Sequence, residues 1–273
     1  MIDTNKLDNL YLNIPSKVGL VFTGTSGIGK SWNVKRLSEK YQIPTFTSIK
    51  DMSKYEGKKT DRMIIFFDEA QKLKLQEQEN LLLIMDMEMV SFKNYRGKLY
   101  ENVALNFLFA TTNLDKIINP LRTRSLVVTF PNCSEEDIFT IMRPVYPKIK
   151  DEDLRNLSKR CKCNPRQADH LCRMFLNMGY DVFSSLDIDE NGLNQAEREY
   201  LSQLDYRGDA SVTQMANALS TSVETVTEII EPYFLQKNVI EVTSRGRRLT
   251  EYGKNLAGQT AGINGNVFQP NNI

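Results

Sequence analysis

The segment Gly24-Thr25-Ser26-Gly27-Ile28-Gly29-Lys30-Ser31 places glycines, a lysine and a hydroxyl at the spacing G-x-x-x-x-G-K-[ST], directly after the apolar run Val18-Gly19-Leu20-Val21-Phe22. This is the chemistry of phosphate binding. Glycines let the backbone curl with its N–H groups turned inward, and the N-terminus of the helix that follows adds partial positive charge. Lys30 then reaches the β and γ phosphates of a nucleoside triphosphate, and the Ser31 hydroxyl serves Mg²⁺. Trp32 follows at the start of the helix, beside the same ligand. A plain glycine-rich turn is the alternative, but strand, loop and helix all agree with the full motif.

A second group supplies a reaction. Arg62-Met63-Ile64-Ile65-Phe66-Phe67-Asp68-Glu69 is a short apolar run ending in two acids, the pattern of a buried parallel strand that delivers carboxylates to its C-terminal edge. Asp68 is expected to hold Mg²⁺ through water. Glu69 is expected to orient and polarise an attacking water, which separates a hydrolase from a passive nucleotide binder.

The elements that must position these groups alternate. Strands are expected at 18–23, 45–49, 63–68, 103–111 and 125–130, with helices at 31–41 and 71–91 between them, which predicts an α/β fold with a parallel sheet covered by helices on both faces. From Ser134 the pattern turns helical, with breaks at Pro144, Pro147, Pro165 and Gly179. Helices at 194–204, 212–219 and 223–237, then two short strands around Ser244-Arg245-Gly246, describe a winged helix. The expected domains are 1–131, 132–192, 193–257 and a disordered tail over 258–273, whose Gly, Asn and Gln leave little to bury.

Composition is ordinary for a soluble protein: 273 residues, 41% hydrophobic, 25% charged, with a net charge of +1. A nucleic-acid surface therefore has to be local. No apolar stretch is long enough to span a membrane, and Met1-Ile2-Asp3-Thr4-Asn5 lacks a secretory signal, so a cytoplasmic location is expected. Cys133, Cys161, Cys163 and Cys172 are expected as free thiols. Zinc held by Cys161, Cys163, His170 and Cys172 is the competing idea, at a spacing unlike the common structural sites.

Further polar groups fall at the ends of the expected elements. Thr111-Thr112-Asn113 ends the strand that would neighbour Asp68, so that Asn113 or Thr112 meets the γ-phosphate or the water. Asn119-Pro120-Leu121-Arg122-Thr123-Arg124 carries two arginines before the next strand, and Arg166 follows Asn164-Pro165 at a helix start.

In this order the motifs resemble those of the AAA+ ATPases, and among them the RuvB family, over about Gly24 to Gly253. Ala110-Thr111-Thr112, Pro120-Leu121-Arg122-Thr123-Arg124 and Asn164-Pro165-Arg166 are similar to its sensor 1, arginine-finger and sensor 2 segments. Ile230-Glu231-Pro232-Tyr233-Phe234-Leu235-Gln236 and Thr243-Ser244-Arg245-Gly246-Arg247 resemble the last helix and wing of its DNA-binding domain. The resemblance implies a P-loop ATPase domain, a small helical lid and a winged helix, with ATP and Mg²⁺ as ligands. It implies a homo-oligomeric ring, a hexamer, that moves duplex DNA or a four-way junction by branch migration. Arg124 would be the finger acting on a neighbouring subunit's nucleotide, with Arg122 the alternative; Arg166 would act in cis; Arg245, Arg247 and Arg248 would contact DNA phosphates. A clamp-loader-like ATPase or adaptor that places another protein on DNA is the rival reading.

Two departures from the family stand out. Only a short segment precedes Gly24, which leaves Tyr11-Leu12-Asn13-Ile14-Pro15 to help enclose the base. Where the family carries a long apolar hairpin for its partner RuvA, this chain has Lys93-Asn94-Tyr95-Arg96-Gly97-Lys98-Leu99-Tyr100. That segment gives no support for a RuvA-like partner; it reads equally as a solvated hairpin turn or a surface facing a DNA backbone. The region 193–257 has seven Lys/Arg and nine Asp/Glu, so outside its wing it is slightly acidic.

Overall fold

A computed structural model describes residues 2–87 and 89–261. The chain forms two compact units, one running to Ser134 and the other from Glu135 onward. No helix among the described residues is long and apolar enough to cross a membrane.

The first unit begins with α1 (Thr4–Asn13), followed by β1 (Gly19–Thr23), α2 (Lys30–Tyr41), β2 (Thr45–Phe46) and β3 (Arg62–Phe67). Then come α3 (Leu75–Met85), β4 (Val90–Lys93), β5 (Leu99–Thr111), α4 (Asn119–Thr123) and β6 (Ser125–Thr129). The strand order is β2-β3-β5-β1-β6, parallel throughout, with β4 antiparallel to β5. Val21, Met63, Ile65, Phe107 and Phe109 share one core with Leu81 and Met85 of α3. Their strand neighbours Leu20, Phe22, Ile64 and Leu108 are buried as well, which is why these strands read as continuous apolar runs.

The crossover from β1 runs outward to β2, whereas the later strands return toward β1 and the connection from β5 passes it to reach β6, so the direction of winding reverses beside β1. A crevice therefore opens beyond its carboxyl end. Register brings the strand ends into line there: Thr23 faces Thr111, and Phe67 faces Phe109.

Arg62, at the start of β3, ties α1 to this sheet. Its guanidinium donates to the carbonyls of Tyr11 (2.7 Å) and Leu12 (3.1 Å), orphan acceptors at the helix C-terminus, and to buried Asn106 Oδ1 (2.7 Å). It also lies over the ring of Tyr11, which is fully buried. Tyr11 is thus a core residue.

Three local expectations are corrected. The helix over 71–91 stops at Met85, because 90–93 leaves to pair with β5. The strand over 45–49 is only two residues long, since Ser48 caps a 3₁₀ turn over Ile49–Lys54 by accepting from Asp51 N. The disordered tail expected from 258 does not begin there, because α13 (Glu251–Ala261) runs through that position; 262–273 lies outside the described residues.

The second unit opens with α5 (Glu135–Met142), α6 (Asp151–Arg160), α7 (Pro165–Met178) and α8 (Asp181–Ser185). It continues with α9 (Gln195–Arg207), α10 (Val212–Ala218), α11 (Val223–Thr225), a π-helical turn over Val226–Ile230, and α12 (Glu231–Gln236). The hairpin β7 (Ile240–Thr243) and β8 (Gly246–Leu249) leads into α13. The helical part and the winged part pack as one unit here, joined by Lys162–Glu197 (2.6 Å) and Lys237–Glu135 (2.9 Å). Gly246 has to be glycine: φ is +128°, and a Cβ there would lie 2.3 Å from the Ala210 carbonyl, where the wing pairs with Ala210.

Candidate functional site

The loop between β1 and α2 has positive φ at Gly24 (149°), Gly27 (80°) and Gly29 (99°). A side chain at Gly24 would also press on Phe130, 3.0 Å from its carbonyl. Backbone conformation and close approach together explain the glycine spacing. Lys30, 6% exposed, folds into this loop and donates to the carbonyls of Gly24 (2.7 Å) and Thr25 (2.8 Å). A buried ammonium must be partnered, so these carbonyls hold it on the concave side of the loop. Ile28 is buried beneath the loop, the Thr25 hydroxyl reaches Asn132 Oδ1 (3.4 Å), and Trp32 is exposed on the first turn of α2.

Ser31 Oγ donates to Asp68 Oδ2 at 2.8 Å, so the loop and the end of β3 meet as the sequence anticipates. A hydroxyl and a carboxylate are hard oxygen donors of the kind Mg²⁺ takes alongside substrate phosphates. The cradle therefore fits a Mg²⁺-bound triphosphate.

Glu69 adopts left-handed backbone angles (φ 53°, ψ 46°), a conformation that costs a non-glycine residue about 1 kcal/mol. Its surroundings impose it. Glu69 N donates to Asp68 Oδ1 (3.1 Å), Lys72 N donates to Glu69 O (2.8 Å), and Gln71 Nε2 donates to Glu69 Oε2 (2.6 Å). The turn leaves the half-exposed carboxylate on the Gln71 amide, with Lys72 Nζ 3.8 Å away.

Gln71 is the residue sequence reasoning missed. The same Nε2 reaches Thr112 Oγ1 (3.1 Å), while Gln71 Oε1 accepts from the Thr111 hydroxyl (2.7 Å). The amide's orientation follows from chemistry, since an ionised carboxylate only accepts and must face the NH₂. One side chain thus links Glu69 to the end of β5. The available signal was a carboxamide two residues beyond Glu69. Asn113 is not part of the link: its Oδ1 accepts from Asp115 N (3.0 Å), capping a short turn.

The two arginines differ in attachment. Arg124, at the end of α4, has an exposed side chain and reaches Asp86 Oδ1 (2.7 Å) and Leu82 O (3.3 Å) across on α3. Arg122 makes a longer contact with Asp115 (3.5 Å), and its Nε is buried.

In the second unit Arg166 is exposed on the first turn of α7, where Asn164 Oδ1 accepts its backbone N–H (3.0 Å). Burial pushes the Cys161 and Cys172 thiols up to about 12 while His170 is exposed. Among the described residues no three His, Cys, Asp or Glu side chains gather to hold a metal.

The wing arginines are largely engaged. Arg247 closes on buried Glu231 through two contacts (2.9 and 3.1 Å), and Glu231 also accepts from the Tyr200 hydroxyl (2.9 Å). Burial, then the Glu231 charge, hold that phenol protonated far above its ordinary range. Arg248 reaches Glu241 on the facing strand (2.6 Å). Arg245 alone of the three has no carboxylate partner among the described residues. Arg247 is therefore a strut of the fold. Glu231→Ala is expected to destabilise the protein by about 3–5 kcal/mol, because it leaves a guanidinium and a phenol without their acceptor. Urea unfolding with an unchanged midpoint would refute this.

Comparison with known proteins agrees with this arrangement. Residues 190–257 match the model of the RuvB C-terminal winged helix domain. The Holliday junction branch migration complex subunit RuvB of Mycoplasma pneumoniae is 28% identical over 211 residues, which is 70% of this chain and 69% of that protein. The protein of the same name from Protochlamydia amoebophila is 24% identical over 266 residues, covering 85% and 80%. A solved RuvB mutant of Thermotoga maritima superposes with a TM-score of 0.71 at 20% identity, spanning 94% of this chain and 96% of that one. The Thermotoga maritima RuvB Holliday junction branch migration motor gives 0.67 at 21% identity, spanning 93% of each.

Proposed function

Because the chain is a RuvB-like AAA+ ATPase, we propose that it hydrolyses ATP in a homo-oligomeric ring and uses the energy to move duplex DNA, driving branch migration of four-way junctions. The observation that carries the hydrolytic half is the junction of Ser31 with Asp68, beside a Glu69 linked to the sensor strand through Gln71. A site that only bound nucleotide would not need that last connection.

In this reading the Gly24–Ser31 backbone and Lys30 bind the triphosphate. Ser31 and Asp68 would hold Mg²⁺, which offsets charge on the phosphates. Glu69 takes the proton of the attacking water as general base, and Thr112, on the Gln71 amide, holds that water or the γ-phosphate in line. Arg166 carries the sensor 2 role on the strength of the Asn164-Pro165-Arg166 match alone. The test is branch migration of a synthetic four-way junction by this protein without any accessory factor. ATP-dependent resolution of the junction supports the motor; ATP turnover with no movement of the junction rejects it.

Gln71 gives a further expectation. Hydrogen bonds to charged groups contribute about 1.5–3 kcal/mol, so Gln71→Ala is expected to lower kcat for ATP hydrolysis by about tenfold or more while leaving KM for ATP unchanged. A higher kcat would mean that the bond restrains Glu69 instead of aiming it.

A further inference from the structure

We propose that the tip of the β4–β5 hairpin and the segment 50–59 docked against it form one surface for a nucleic-acid backbone on the first unit, distinct from the wing. The proposal rests on the DNA reading above and adds to it where the polyanion is gripped.

Two stretches distant in sequence are fastened together. Asn94, 5% exposed, donates through Nδ2 to Tyr55 O (2.8 Å) and accepts at Oδ1 from the backbone N–H groups of Arg96 (3.0 Å) and Lys98 (2.9 Å). Tyr95 N donates to Ser53 O (2.9 Å), and Lys98 Nζ to Gly57 O (2.7 Å). Fully buried Tyr100 stacks on Phe92 at 5.0 Å and sends its hydroxyl to Gly57 O (3.1 Å). The hairpin is thus no free solvated turn, and its charges stand in fixed register with those of 50–59.

Those charges are one-sided. The two stretches, 50–59 and 93–98, hold seven Lys/Arg against Asp51 and Glu56, whereas the rest of the chain is net negative. Lys54 takes Asp51 (2.6 Å) and Arg96 takes Glu56 (3.0 Å). Lys50, Lys58, Lys59, Lys93 and Lys98 pair with no carboxylate among the described residues. A local excess of one sign of charge attracts a polyanion. At the tip, Tyr95 is 62% exposed with the Arg96 guanidinium 5.4 Å from its ring centroid, which sets its polar hydroxyl among the cations. Among the described residues of the wing, Arg247 is committed to buried Glu231, which leaves Arg245 and the surface-paired Arg248 for a contact there.

The test is the affinity of the full chain for a short labelled duplex, measured by fluorescence anisotropy across a salt series. The variant is Lys58→Ala with Lys59→Ala and Lys93→Ala. All three side chains are exposed and make no hydrogen bond or ion pair among the described residues, so an unchanged melting temperature verifies folding. Each lost phosphate contact removes about 0.9 from the slope of log affinity against log salt. The triple variant is expected to lose about 2 to 3 from that slope and at least about tenfold in affinity near 0.1 M salt. Unchanged slope and affinity in a duplex-binding protein overturn this surface and leave the motor standing. A wild-type protein that ignores duplex at every salt concentration sinks the DNA reading, and this surface with it. Lysine-dependent capture by phosphatidylglycerol vesicles, with no duplex binding, overturns the nucleic-acid assignment in favour of lipid.

Discussion

Glu69→Gln is expected to bind ATP as tightly as the wild-type protein and to hydrolyse it about 10²–10⁴-fold more slowly, the span a positioned general base contributes. The substitution is nearly isosteric and leaves the Ser31–Asp68 contact, the Lys30 cradle and the loop glycines untouched. The capacity to take a proton is removed. The new amide also competes with Gln71, whose Nε2 now faces the carboxylate at 2.6 Å. Equilibrium binding of a fluorescent ATP analogue together with single-turnover hydrolysis separates the two quantities. Full turnover by the variant would remove Glu69 from the reaction; lost binding would make it a structural residue. Lys30→Ala is the complementary control and should fail at binding.

Arg124→Ala is expected to bind ATP normally and to lose about 10³-fold or more in hydrolysis, as for arginine fingers in other phosphate-loop enzymes. Its present partner is no obstacle. The contact with Asp86 is between exposed side chains, and such pairs contribute about 0–1 kcal/mol, less than a guanidinium gains from a triphosphate. Arg122 is the less exposed of the two, with its Nε buried, and Arg122→Ala should cost less. Mixing Arg124→Ala subunits with Lys30→Ala subunits tests action in trans: the first bind ATP, and the second supply the guanidinium. Recovery of ATPase in the mixture, with neither variant active alone, is the expected result. A mixture as inactive as its components would mean that the arginine acts within its own subunit.

How much of this was legible beforehand follows from how local each constraint is. The phosphate loop could be read because positive φ at Gly24, Gly27 and Gly29 restricts residue type position by position. The central strands were legible because burial on both faces demands unbroken apolar runs, as over Met63–Phe66. The wing turn was legible because Gly246 must approach Ala210 without a side chain. The end of α3 was not: Val90 leaves the helix to pair with Val103, and residues around 80–90 carry no sign of that partner.

The same division runs through the functional groups. Sequence alone singled out Lys30, Ser31, Asp68 and Glu69 as one candidate phosphate site, since residue type, spacing and strand-end placement are local properties. Tertiary structure decided which polar groups remain available. Arg247 looks in sequence like a free phosphate ligand, yet buried Glu231 claims it from another element, whereas Arg248 holds only a surface pair with Glu241. Gln71 gained a role, and Asn94 came to anchor a basic surface, only when their partners folded into reach. A charge or an amide is committed by its hydrogen-bonding partner, and that partner is chosen by packing between segments far apart in the chain.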